Sequence, residues 1–179
     1  MSPLAPARLA DGRAQIHLAG FMGSGKSTIG RLLARRLLWS FLDLDGVVER
    51  HAGRSVAEVF REDGEEAFRV MESHVLRQIV AKPATVVALG GGTLIDEGNQ
   101  ALSRRSAIVV WLQCPLEVLR ERCGVADGAR PLWGDLAALQ ARLDERLPGY
   151  QGAELRVDAT GDPEAVAAAV ATAIDGVDQ

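Results

Sequence analysis

Gly20-Phe21-Met22-Gly23-Ser24-Gly25-Lys26-Ser27, followed by Thr28, fits the spacing G-x-x-x-x-G-K-[ST] of a phosphate-binding loop. The glycines let backbone N–H groups turn inward around an anion, a fold-back that a Cβ resists. Lys26 is placed to reach terminal phosphates as a point charge, and the Ser27 hydroxyl to sit on Mg²⁺. The helix that follows points its positive end at the same anion. The flanks agree. Gln15 to Ala19 reads as a short buried strand, and Ile29, Leu32, Leu33 and Leu37 make a helical apolar stripe. The chain has only two lysines, Lys26 and Lys82, and one stands where the motif demands it.

The bulk composition narrows the class. The 179 residues suit one domain, with 47% hydrophobic and 25% charged side chains. A net charge of -4 argues against a general nucleic-acid partner, which favours a basic surface. No apolar run approaches membrane-spanning length, and the start lacks a signal-peptide core. Cys114 and Cys123 have no metal-ligand spacing and read as free thiols in a reducing cytoplasm. The expected partition is a loose tail over 1–14 and a single domain over 15–179.

Beyond the first helix, Phe41-Leu42-Asp43-Leu44-Asp45 reads as a second strand ending in two carboxylates that share a face toward the ligand crevice. The competing role for Asp45 is a helix cap. Ser55 and Glu58 form a capping box for a short helix. A longer helix from Glu65 to Val80 buries Phe68, Met71, Val75 and Ile79. Arg69 lies beside that stripe, flanked by Glu65 and Glu72. It is either a surface ion pair or an anion clamp oriented by those carboxylates. Thr85 to Leu89 is a buried parallel strand ending in Gly90-Gly91-Gly92, where a ligand can approach the backbone closely. A short helix (96–102), a strand (107–112) and a Pro115-led helix follow. The segment 123–134 is a Gly-rich flap, and its Arg130 is either a group that closes over phosphates or a solvated loop arginine. Asp135 caps a helix with Arg142 and Arg146 four apart on one face, ended by Pro148-Gly149-Tyr150. A last strand (155–158) and an Ala-rich helix from Pro163 close the chain. Alternating strands and helices around a phosphate loop predict a three-layer α/β domain with a parallel sheet.

These pieces resemble the shikimate kinase family, within the nucleoside-monophosphate-kinase-like P-loop proteins. The resemblance rests on Gly20 to Gly30, Phe41 to Asp45, Ala52 to Phe60, Asp63 to Glu72, Val86 to Gly92, Ala129 to Leu132 and Arg146 to Tyr150, all in order. It implies an α/β/α P-loop kinase fold with a five-stranded sheet in the order 2-3-1-4-5, substrate-binding helices and a mobile lid. It implies transfer of the ATP γ-phosphoryl group to the 3-hydroxyl of shikimate with Mg²⁺, by a cytoplasmic monomer. Carried over residue by residue, it makes Gly23, Ser24, Gly25, Lys26, Ser27, Thr28 and Arg130 the ATP-binding set. Lys26, Asp45 and Arg130 become catalytic, and Ser27 and Asp43 become metal-associated. Asp45, Arg69, Gly91, Gly92 and Arg146 bind shikimate, the two arginines clamping its carboxylate. The adenine-side arginine is Arg122 or Arg156. Gly149 departs from the family's Leu in R-x-P-L-Y, which is expected to loosen the helix end holding Arg146. Trp133 is read as packing beside the lid.

Two other functions remain open on sequence. A sister kinase for gluconate or a nucleotide keeps the loop but needs no paired Asp45 and Arg69/Arg146. An effector-binding module usually adjoins a DNA-binding region, for which the short tail leaves no room.

Overall fold

The computed structural model describes residues 12–124 and 136–177. Arg130, Trp133 and Asp135 therefore lie outside the described residues, as does nearly all of the expected lid. Five strands form one parallel sheet in the order β2-β3-β1-β4-β5. They are β1 (Gln15–Ala19), β2 (Ser40–Asp43), β3 (Thr85–Ala88), β4 (Ala107–Gln113) and β5 (Leu155–Asp158). β1 is central, with Gln15 opposite Thr85 on one side and Ala107 on the other. Burial on both faces explains the near-continuous apolar runs. Ile16, Leu18, Val86, Val87, Ile108 and Val110 are all fully buried.

Two polar side chains of β1 lie in this interior and bond to each other, leaving the buried His17 Nδ1 without a partner among the described residues. Gln15 donates its amide to the carbonyls of Ile79 and Lys82, both at 2.7 Å. Its Oε1 faces His17 Nε2 at 2.8 Å. With the Gln15 amide nitrogen already committed, Oε1 must accept, which fixes His17 as the Nε2–H tautomer. Burial pushes His17 down to a pKa of about 3.

The helices are α1 (Lys26–Leu37), α2 (Leu44–Ala52), α3 (Val56–Glu62), α4 (Gly64–Ile79), α5 (Glu97–Ser106), α6 (Leu116–Gly124), α7 (Leu136–Gln151) and α8 (Pro163–Val177). A 3₁₀ turn spans Thr93–Ile95. The capping box at α3 is present, with the Ser55 N–H donating to Glu58 at 2.8 Å and the Glu58 N–H to Ser55 Oγ at 3.2 Å. α1 ends on Leu38 in the left-handed region (φ 58°), a place that favours glycine.

Three expectations need correction. The second strand stops at Asp43, and Asp45 sits in the first turn of α2. Leu44 and Val48, both fully buried, are four apart and need helical periodicity to reach the core together. α5 extends past Leu102 to Ser106 and is capped by Asp96, which accepts from the Asn99 N–H at 2.7 Å. α7 does not end at Pro148 but carries it inside and runs to Gln151. The carbonyl that Pro148 leaves without its helical donor belongs to Asp144, which is exposed and open to water. Arg13 donates to the Ala107 carbonyl at 3.0 Å and pairs with Glu154.

Candidate active site

The loop between β1 and α1 turns at Gly23 (φ 81°) and Gly25 (φ 90°), both in the left-handed region. Lys26 Nζ donates to the carbonyls of Gly20 at 2.8 Å and Phe21 at 3.0 Å, so the ammonium lies across the loop mouth. Burial lowers its pKa to about 8, against the pull of Asp45 and Asp43. Ser24 is fully buried beneath the loop, and its hydroxyl has no hydrogen-bond partner among the described residues.

Two cavities meet at Lys26 and Ser27. The first, about 500 Å³, is walled by Gly23, Gly25, Thr28, Arg122 and the loop Ala159 to Pro163. Arg122 is pinned there by the carbonyls of Ala159 at 2.8 Å and Thr160 at 2.9 Å. Arg156 instead lies over the Trp111 ring at 4.7 Å and donates to Gln113 at 2.6 Å. Of the two adenine-side candidates, the cavity contains Arg122.

The second cavity, about 420 Å³, gathers Lys26, Ser27, Asp43, Asp45, Arg69, Gly91, Gly92, Arg142 and Arg146. Ser27 Oγ donates to Asp43 Oδ2 at 2.5 Å. Asp45 is raised to a pKa of about 6, first by burial and then by Glu72 and Asp43, with Lys26 and Arg69 pulling the other way. It remains ionised at neutral pH and holds a proton readily just below it.

Arg69 makes the ion pairs and also lines the cavity. It faces the cavity, and it is gripped by Glu72 at 2.9 Å and Glu65 at 3.0 Å. Burial works against its charge, but these carboxylates keep its pKa above the ordinary value. Glu72 is fully buried and takes a second hydrogen bond from Thr93 Oγ1 at 2.6 Å. The spacing showed Glu72 near Arg69, yet the tie to Thr93 needs the tertiary fold.

Arg146 approaches from α7, its guanidinium 5.1 Å from the Phe21 ring centre and its buried Nε without a partner. The glycine run explains how two guanidinium groups fit. A Cβ on Gly91 would lie 2.9 Å from Arg146 Nη1, and one on Gly92 would lie 2.5 Å from Arg69 Nη2. Tyr150 fastens α7 to this run, its buried hydroxyl donating to the Gly91 carbonyl at 2.5 Å. Gly149 does not loosen that end. A Cβ there would lie 2.2 Å from the Leu94 carbonyl oxygen, so glycine is what lets α7 dock on the 3₁₀ turn.

Mg²⁺ usually takes one or two protein oxygens and fills the rest of its octahedron from phosphates and water. The adjoining Ser27 hydroxyl and Asp43 carboxylate fit that need. Among the described residues there is no cluster of three or more His, Cys, Asp or Glu able to cage a metal alone.

A phosphate loop opening onto a nucleotide-sized cavity, with an acceptor cavity holding carboxylates and converging arginines, defines a P-loop kinase for a small acid. Comparison with known proteins narrows this. The shikimate kinase family model matches residues 22–175. A shikimate kinase of Salinibacter ruber is 40% identical over 163 residues, covering 85% of this chain and 80% of that one. A shikimate kinase from Acinetobacter baumannii, solved in complex with shikimate, superposes with a TM-score of 0.86 at 31% identity, covering 96% of this chain and 98% of that one. The enzyme from Aquifex aeolicus gives 0.83 at 34% identity, with 91% and 97% covered. The chain belongs to the shikimate kinase family.

Proposed function

We propose that this enzyme transfers the γ-phosphoryl group of ATP to the 3-hydroxyl of shikimate, a step toward aromatic amino acids. The observation that carries this reading is the pair of arginines on different helices, Arg69 and Arg146, converging over Gly92 and Gly91 in the cavity that holds Asp45. A planar carboxylate suits two guanidinium forks better than ammonium groups. Asp45 then lies among the acceptor's hydroxyls. The acceptor oxygen bonds to the γ-phosphorus as the bond to the bridging oxygen of ADP breaks, and Asp45 takes the hydroxyl proton. Lys26 offsets charge on the transferring group, and the backbone N–H groups of Gly23 to Thr28 cradle the phosphates. Positioning and charge stabilisation of this kind supply most of the catalysis in phosphoryl transfer.

Ser27 and Asp43 would hold Mg²⁺, which supplies charge neutralisation at the phosphates when bound. Arg122 flanks the adenine. Arg130, assigned to closure over the γ-phosphate by resemblance, belongs to the segment outside the described residues. No described helix is long and apolar enough to cross a membrane. The reading takes residues 15–179 as one domain acting as a cytoplasmic monomer.

The test is ADP release from Mg²⁺-ATP with shikimate, gluconate or AMP as acceptor. Shikimate-dependent release that falls at least about a hundredfold in kcat/KM with Arg69→Ala supports the reading, as expected for a buried charge pair left unmatched. Turnover with gluconate or AMP alone would discard the acceptor assignment and keep the phosphate loop.

A further inference from the structure

Among the described residues four basic side chains line the acceptor cavity, and three are already committed within the protein. Lys26 is held by loop carbonyls, Arg69 by two glutamates, and Arg146 lies against the Phe21 ring. Arg142 differs. It is exposed and has no hydrogen bond or ion pair among the described residues, yet it lies on the cavity-facing stripe of α7, one turn before Arg146. That turn places its backbone about 6 Å further along the helix, toward the α7 start.

The charge balance gives Arg142 a particular weight. Among the described residues the cavity wall carries these four cations against three carboxylates. Without Arg142 this described wall is neutral in sum, and the pull on an anionic acceptor comes mainly from its two clamp contacts. With it the wall is net positive, and its fields act in a cleft that water screens less than a flat surface.

We infer that Arg142 is a specificity-determining residue that makes this cavity select carboxylate-bearing acceptors over neutral polyols of the same shape. The inference rests on the proposed shikimate reading and adds to it a third cation, one that acts at a distance on capture. A charge that acts equally on bound substrate and transition state changes KM and leaves kcat in place. Because Arg142 is solvent-facing, its effect also weakens as salt rises.

The experiment compares wild type, Arg142→Gln and Arg142→Lys on shikimate and on its uncharged methyl ester. Each is assayed at about 0.02 M and about 0.5 M salt, which moves the screening length from roughly 20 Å to roughly 4 Å. The expected result is a KM for shikimate raised about three- to tenfold in Arg142→Gln at low salt, with kcat within about twofold. The preference for shikimate over the ester should shrink by the same factor, Arg142→Lys should restore most of it, and high salt should remove most of the difference. An unchanged acid-to-ester preference in Arg142→Gln overturns the inference, as does a loss shared equally by acid and ester, or one in kcat that salt does not touch. If wild type fails to phosphorylate shikimate, the functional reading falls. If wild type is active and Arg142→Gln indistinguishable from it, only the role of Arg142 falls.

Discussion

Acidifying the ligand-free protein from pH 7 to pH 5 sets two buried groups against each other. His17 has a folded pKa of about 3 against an ordinary value of 6.5, so the unfolded chain takes up a proton that the folded chain refuses. Its contribution is intact above the unfolded value and is lost as pH falls below it, by about 1.9 kcal/mol over this interval. Asp45 works in the opposite sense. Its folded pKa of about 6 lies above the ordinary value of 3.8, so the folded chain protonates first and regains about 1.3 kcal/mol over the same interval. The histidine wins, and the pair together loses only about 0.6 kcal/mol. Urea melts followed by circular dichroism at both pH values measure this, with each variant read as a difference from wild type so that common titrations cancel. Asp45→Asn should lose about 1.3 kcal/mol more than wild type on acidification, and His17→Leu about 1.9 kcal/mol less. His17→Leu will start from a lower stability, since Gln15 Oε1 loses its donor, but the change with pH is the readout. Identical changes in wild type and His17→Leu would refute the assignment of acid sensitivity to His17.

Three further outcomes are expected. In the kinase assay kcat/KM for the acceptor should rise tenfold per unit up to about pH 6 and then flatten, as Asp45 loses its proton; Asp45→Asn should be about a hundredfold slower or worse and lack that limb, and a limb that persists in the variant assigns it to another group. Gly92→Ala should push the Arg69 guanidinium out of place, because its Cβ would lie 2.5 Å from Nη2, raising KM for shikimate about tenfold with ATP affinity intact; equal KM values would show that the arginine yields without cost. Leu38→Gly should stabilise the fold by about 1 kcal/mol in urea melts, because a 70% exposed leucine at φ 58° gives up strain and little packing; a destabilised variant would show that the entropy lost by glycine outweighs that strain.

What the sequence discloses depends on how local the physics is. The loop from Gly20 to Thr28 and the Ser55–Glu58 capping box are local: their hydrogen bonds close within a few residues, so spacing alone reveals them. Asp45 was misplaced on a strand because Leu42-Asp43-Leu44-Asp45 alternates, and only the burial of Leu44 with Val48 shows that the chain turns helical there. The continuation of α7 through Pro148 depends on the exposure of Asp144, and the fit of Gly149 depends on a carbonyl in another segment. Glu72 was legible as a neighbour of Arg69 but not as the buried link to Thr93. The acceptor site as a whole draws on α2, α4, the glycine run and α7, and it became readable only through the ordered set of family motifs.

The central place of β1 also bears on how the chain comes together in time. This strand leaves the ribosome first among the five, but its partners begin at Thr85 and Ala107. One edge stays open until β3 has been made and the other until β4, and contacts so distant in sequence form slowly because the loop between them must be closed first. The turn at Gly20 waits as well, for it packs beside the Leu112 carbonyl at the far end of β4. The loop whose spacing is legible earliest in the chain is therefore among the last parts to be held in its working shape.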